Sequence, residues 1–214
     1  MKNLLISLLV SLFIPSIFAQ PSSDIVPIKD GDNVVYKYIV YGEKGRDIVE
    51  ASSNDLPATV LFSGTGYSVK YRAGRVESYS SQHVQLTVLS RGKLTVYSPE
   101  EQFQWFPKDF SAGKKDPVAY DVQSTECSKV KNTFPDVTVE PGTRNLKIQG
   151  VEKQVPVQII SYKGKWSGSC GSGNFVNVIV FSQELNFVVE RKSLNYLPNG
   201  FLYQGEGRIL HTLN

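Results

Sequence analysis

Apolar and polar residues alternate with a period of two along most of the chain after residue 19, and helical periodicity is almost absent. Successive side chains of a β-strand point to opposite faces, so this alternation predicts strands. Within residues 34–41, one face carries Val34, Tyr36, Tyr38 and Val40. Turn signals rich in glycine flank this run on both sides. The pattern therefore predicts a protein that is almost entirely β.

Nine further runs show the same alternation. They are residues 58–62, 67–71, 76–80, 84–90, 94–97, 154–162, 175–181, 187–194 and 201–213. The connections in the first half are short, which favours antiparallel neighbours. The run 175–181 is apolar on both faces and should be central in its sheet. We expect one strongly curved antiparallel sheet, a half-barrel or open barrel, with little helix outside the leader.

The alternation weakens between residues 99 and 150, where proline and glycine recur. Short strands are expected around Tyr120 and Val137. A structureless connection of this length is unusual inside a compact domain. We therefore expect local order there and a tether through Cys127.

The first 19 residues carry a single charge, Lys2, followed by an apolar run that ends at Ala19. The run is shorter than the roughly 20 residues of a membrane-spanning helix and is typical of a cleaved signal peptide. We expect a signal peptide over residues 1–19 and a single β domain over residues 20–214. We expect the mature protein to be soluble, without a transmembrane segment, and periplasmic or secreted. A Gram-negative bacterium is the favoured source.

The net charge of +3 falls to +2 when Lys2 is removed with the leader. The densest basic region, between residues 108 and 131, is interrupted by acidic side chains. Nucleic-acid binders cluster their basic residues on one surface. We therefore expect no nucleic-acid partner.

The chain has two cysteines, Cys127 and Cys170. Thiols oxidise outside the cytoplasm, so an even count favours one disulfide between them. Closing a loop of this length stabilises a fold by about 4 kcal/mol in the chain-entropy treatment.

A catalytic alternative starts from Gly168-Ser169-Cys170-Gly171, which resembles the Gly-x-Cys-Gly segment of chymotrypsin-fold viral cysteine proteases. His83, then Asp116 or Asp121, then Cys170 follow the order that this resemblance implies for the base, acid and nucleophile. His83, however, lies in an alternating run, and a disulfide would remove the thiolate. The hydrolase is the second hypothesis.

No metal or other cofactor is expected, because the two histidines are far apart and no acidic cluster has the spacing of a calcium loop. The aromatic residues form an ordinary core or line a hollow for an apolar ligand. The candidates for ligand contact are Tyr36, Tyr38, Trp105, Phe106 and Trp166. Phe103–Pro107 could act as a lid.

The sequence resembles uncharacterised periplasmic half-barrel proteins of the lipoprotein-carrier type in four segments and in their order along the chain. They are Gly31–Tyr36, Phe106-Pro107 followed by Ala112-Gly113-Lys114, Val137–Thr143, and Val180–Glu190. The resemblance implies an incomplete antiparallel barrel around a hydrophobic hollow, and it implies no catalytic residues. The leading hypothesis is a non-enzymatic exported protein that binds a lipid or another apolar small molecule. An exposed edge strand that binds an envelope protein is a further alternative.

Overall fold

The computed structural model describes residues 25–45, 47–83, 85–99, 109–124 and 129–214. Thirteen β-strands and no helix occur in these ranges. The strands are β1 (Asn33–Lys44), β2 (Asp47–Ser63), β3 (Gly66–Tyr71), β4 (Val76–Ser80), β5 (Gln85–Ser90), β6 (Lys93–Pro99), β7 (Gly113–Lys115), β8 (Val118–Ser124), β9 (Val130–Ile148), β10 (Val151–Gly168), β11 (Gly171–Ser182), β12 (Phe187–Tyr196) and β13 (Leu202–Leu213). The all-β prediction is confirmed. The predicted leader lies outside the described residues, and no described segment forms a helix long and apolar enough to span a bilayer.

Twelve strands form a closed ring, so the expected half-barrel or open barrel is wrong. The order is β10-β11-β12-β13-β1-β2-β3-β4-β5-β6-β8-β9, and β9 pairs in turn with β10. The pairing between β13 and β1 joins the first and last strands of the chain. The short β7 attaches to β9 outside this ring. A closed ring satisfies the backbone groups that a half-barrel would leave at its two edges.

The strands that close the ring come largely from the segment where the sequence pattern was weakest. Residues 118–124 and 130–148 form β8 and the 19-residue β9. Pro135 lies at the irregularity where β9 and β10 lose register, a position that tolerates the missing N–H. At Pro141 the described pairings give β9 one neighbour, β10. Prolines therefore do not end this strand.

One end of the barrel, which we call the base, is filled by a dense core. It carries the β2–β3, β4–β5 and β11–β12 turns. The rings of Tyr67 and Tyr79 stack there with centroids 4.8 Å apart, and Phe187 lies 5.2 Å from Tyr67. The segment before β1 crosses the base, where the Ile28 N–H donates to the Leu185 carbonyl at 3.1 Å. In the part of the chain that the structure describes, side chains fill this end.

The β9–β10 hairpin packs on both of its faces. Leu146 and Val155 belong to the core cluster that contains the tyrosines of β1, β3 and β4. Val139 and Ile160, of opposite parity, belong to a second cluster with Phe134 and residues of β11 and β12. The end of β9 also forms a short parallel pairing with the end of β13. The long hairpin thus packs against both core clusters and also pairs with β13.

Candidate ligand-binding cavity

The other end of the barrel, which we call the mouth, contains a cavity of about 900 Å³. It lies in the half that carries the β1–β2, β3–β4, β5–β6, β10–β11 and β12–β13 turns. Ligand pockets in proteins span roughly 300–1,000 Å³, so the cavity has room for a small organic molecule. Inward-facing side chains of the ring strands form its wall.

The cavity wall has two chemically different halves. An apolar arc follows β5, β6, β8, β9, β10 and β11 and presents Val88, Tyr97, Val122, Val130, Trp166 and Phe175. A polar arc follows β12, β13, β1 and β2 and presents Ser193, Asn195, Gln204, Glu206, Tyr38 and Asn54. Leu56 interrupts the polar arc, and Ser90, Thr95 and Asn132 interrupt the apolar one. The rim at the β5–β6 turn adds Arg91 and Lys93.

Trp166 owes its position to glycines on the neighbouring strand. It lies directly across from Gly173, where an added Cβ would come within 2.7 Å of the indole Nε1. An added Cβ at Gly171 would lie 3.5 Å from the Cη2 atom of the same ring. The indole therefore packs on bare strand backbone. Its N–H is buried and has no acceptor among the described residues.

Asn132 is the cross-strand partner of Trp166 on β9 and lines the same cavity. Its side chain is only 6% exposed. No described residue forms a hydrogen bond with its amide, and the amide atoms are not among the fully buried polar atoms without a partner, which include the Trp166 Nε1. The amide can therefore form a hydrogen bond with a ligand in the cavity.

A buried ionic layer forms the floor of the cavity. Glu77 is fully buried and accepts from the Arg75 Nε at 2.6 Å, the Tyr79 hydroxyl at 2.6 Å and the Tyr71 hydroxyl at 3.2 Å. The guanidinium of Arg208, 5% exposed, also contacts the Glu77 carboxylate. Beneath this layer a void of about 20 Å³ lies among the tyrosines of the core. The cavity is thus separated from the core at the base.

Glu206 links the ionic layer to the cavity wall. Its carboxylate lies 3.9 Å from both Arg75 and Arg208 and accepts from the Tyr38 hydroxyl at 3.2 Å. Burial lowers the pKa of Arg208, and the neighbouring Arg75 lowers it further. Burial also raises the pKa of Tyr38, and the Glu206 charge adds to that rise. The two carboxylates balance the two guanidinium groups, so the floor is neutral when all four are ionised.

The predicted ligand-contact residues fall into three places. Tyr38 and Trp166 lie in the cavity wall. Tyr36 is buried in the core below the ionic layer. Trp105 and Phe106, with the lid expected around them, lie outside the described residues. The structure thus brings two of the five to the cavity, and ligand contact remains a prediction.

The catalytic alternative places its base and nucleophile at opposite ends of the barrel. The His83 ring lies 4.8 Å from that of Phe181 near the end of β11, whereas Cys170 precedes the start of that strand. Ten residues of strand span about 33 Å. Asp121, on β8, pairs with Lys129 at 3.5 Å. These three side chains do not form a catalytic group.

His83 has a structural environment at the base. Its ring contacts the Tyr67 hydroxyl at 3.3 Å and the Asn186 side-chain oxygen at 3.2 Å. Burial lowers the pKa of His83, while the hydrogen bond to Asn186 opposes that shift. A neutral ring that donates to Asn186 and accepts from Tyr67 satisfies both nitrogens.

Among the described cysteines none is a free thiol. Cys127 lies outside the described residues, so its predicted pairing with Cys170 remains a prediction. No group of three or more His, Cys, Asp or Glu side chains in the described ranges could hold a metal ion. In the described pairings, residues 47–56 of β2 pair only with β1 and residues 140–146 of β9 pair only with β10, so both strands keep an open edge. An envelope-protein partner at such an edge remains a prediction.

No protein-family model matches the chain, and no curated protein matches its sequence. Similar solved structures include a protein of Bacteroides fragilis assigned as exported, with a YmcC-like fold (TM-score 0.44, 10% identity, 89% of this chain and 98% of that one). A protein of Parabacteroides distasonis assigned as a lipoprotein gives a TM-score of 0.43 at 11% identity, over 89% and 98% of the two chains. The hypothetical lipoprotein YmcC of Escherichia coli gives 0.44 at 8% identity, over 83% of each. These are uncharacterised bacterial proteins, the class to which the sequence resemblance pointed.

Sequence reasoning missed Asn132, Phe175 as a wall residue, and the ionic layer. Asn132 lies in the segment where alternation was too weak to assign faces. Glu77 lies next to Ser78 in the run 76–80, and from the sequence it looked like an ordinary charged residue. The available signal was its place between Arg75 and Tyr79, on the same strand face as both, in a strand whose inner face is otherwise apolar.

Proposed function

We propose that this protein is an exported, non-enzymatic binding protein whose barrel cavity holds an amphipathic small molecule. The observation that carries the proposal is the division of a cavity of about 900 Å³ into an apolar and a polar arc. An entirely apolar ligand would leave the amides and hydroxyls of the polar arc without partners, which is costly in a site that excludes water. A molecule with one apolar and one hydrogen-bonding side fits both arcs.

Two further features support binding rather than catalysis. The charged groups of the floor are already paired with one another, in the layer formed by Arg75, Glu77, Glu206 and Arg208. The two candidate members of a nucleophile and base pair, Cys170 and His83, belong to opposite ends of the barrel. The predicted leader supports export to the periplasm or beyond.

The test is saturable binding of a fluorescent fatty-acid probe, with one inward and one outward variant of the same strand. Thr95 lines the cavity on β6, whereas its neighbour Leu94 is 45% exposed on the outer face. Thr95→Trp should fill the cavity and abolish binding, and Leu94→Trp should leave it unchanged. An equal effect of the two variants would refute the proposal, and so would the absence of saturable binding of both this probe and the octyl compounds described below.

A further inference from the structure

Five inward side chains on consecutive strands form a strip that runs around the cavity wall from β9 to β13. Cross-strand registers place Asn132 opposite Trp166, and Phe175 opposite Asn195, which in turn lies opposite Gln204. All five line the cavity. We call them the amide–aromatic strip, because two aromatic rings are flanked on both sides by primary amides.

The aromatic part of the strip can receive the C–H face of a ring. One face of the Trp166 indole packs on the backbone at Gly171 and Gly173, so the opposite face is the one that lines the cavity. The face of an aromatic ring carries negative charge density and attracts partially positive C–H groups. Phe175, on the next strand, extends this surface by a second ring.

The amide part of the strip can receive hydroxyl groups. A primary amide offers two donors and an acceptor, which matches a pair of neighbouring hydroxyls that both donate and accept. Asn132 lines the cavity, no described residue forms a hydrogen bond with its amide, and the amide atoms are not fully buried. A hydrocarbon chain against Asn132 would leave that amide without water and without a partner. The strip therefore selects against a ligand that is only a chain.

We infer that the amide–aromatic strip binds a sugar ring, with its C–H face on Trp166 and Phe175 and its hydroxyls on the amides of Asn132, Asn195 and Gln204. This inference rests on the proposed function and specifies the ligand class. The sugar comes from a free saccharide or from the headgroup of a glycolipid, and both present the same chemistry to the strip.

The experiment compares three kinds of probe by calorimetric titration below their micellar concentrations. Octyl glycosides of glucose, galactose and N-acetylglucosamine carry both a sugar and a chain, an octyl oligo(ethylene glycol) ether carries only the chain, and the methyl glycosides carry only the sugar. At least one octyl glycoside should bind about fivefold more tightly than the octyl ether, the gain expected of one or two net hydrogen bonds. Saturation-transfer NMR should place the ring C–H protons of the glycoside against the protein.

Three variants locate the site. Trp166→Ala should weaken binding of the octyl glycoside about tenfold, from loss of the ring contact. Asn132→Leu should weaken it about fivefold while the unfolding midpoint stays close to that of the wild type, because no described residue would lose a hydrogen bond. Asn174→Leu, on the exposed outer face of β11, is the matched control and should change neither quantity.

The outcomes separate the two proposals. If no octyl compound binds, the proposed function is wrong and the sugar inference falls with it. If the octyl ether binds as tightly as every glycoside, or Asn132→Leu has no effect on a glycoside that binds, the cavity is a binding site but the sugar inference is wrong. If methyl and octyl glycosides bind equally, the inference holds and the source is a free saccharide.

Discussion

The ionic layer beneath the cavity provides the sharpest stability test. Glu77→Leu would remove the carboxylate that accepts from Arg75, Tyr71, Tyr79 and Arg208. Arg208 would then remain 95% buried, with Glu206 at 3.9 Å as its remaining acidic neighbour. Leaving one member of a buried ion pair behind costs about 3–5 kcal/mol. Because domains of this kind are stable by about 5–15 kcal/mol, the loss would be about a fifth of the total or more.

The double variant Glu77→Leu/Arg208→Met distinguishes a buried charge from lost packing. It removes both partners and replaces them with apolar side chains, an exchange that is often neutral or stabilising. Arg75 keeps access to the cavity, since its side chain is 22% exposed. The double variant should therefore recover most of the loss, to within about 1 kcal/mol of the wild type, with a large coupling energy in the cycle.

Urea unfolding followed by far-ultraviolet circular dichroism measures these free energies. Glu50→Leu is the control, because Glu50 forms an exposed pair with Lys37 at 3.2 Å, and exposed ion pairs contribute little to stability. A loss below about 1 kcal/mol for Glu77→Leu would refute the reasoning. So would a double variant whose loss equals the sum of the two single losses.

Three other properties are open to direct measurement. Gly173→Ala would place its Cβ 1.9 Å from a carbonyl oxygen of β12, so urea unfolding should show that the free energy of unfolding falls by about 2 kcal/mol. Gly64→Ala is the control and should cost almost nothing, because no atom lies within 4 Å of the added Cβ. Equal stabilities of the two variants would contradict the packing argument. Burial lowers the pKa of His83 in the folded protein, so the unfolded chain binds more protons. The contribution of His83 to stability is therefore full above about pH 6.5 and falls as the pH drops towards the pKa of the folded state. His83→Gln should flatten that fall, and an unchanged pH profile of stability would contradict this prediction. Intact-mass analysis should find the leader removed and no alkylation of Cys127 or Cys170 until reduction, whereas ready alkylation without reductant would exclude the disulfide.

The alternation of the sequence was sufficient to place most strands, because period two survives wherever one face is buried. It could not decide between an open and a closed barrel. Closure depends on residues 130–148, where prolines and polar side chains mask the pattern. It also depends on the pairing of β13 with β1, between residues about 170 positions apart, which no local signal specifies.

The candidate site was predictable only in part, for a related reason. Tyr38 lies on the face that the alternation of residues 34–41 identified, whereas Trp166 lies outside the predicted runs and was named only as an aromatic residue. Asn132 became meaningful only beside Trp166, a neighbour set by the register of two strands. The glycines around Cys170 suggested room for a nucleophile, but their small size serves the packing of the Trp166 indole.

The seam between β1 and β13 also constrains how the barrel is made. Val34 pairs with Leu213, so β1 has a hydrogen-bonded neighbour on both of its edges only after β13 has docked. During synthesis, β1 can pair with β2 early, because the two strands are adjacent in sequence, but its other edge stays open until β13 has been made. Assembly that depends on such distant pairing is slow and leaves strand edges open to aggregation. The molecule therefore has most to gain from a chaperone in the interval before its final strand docks.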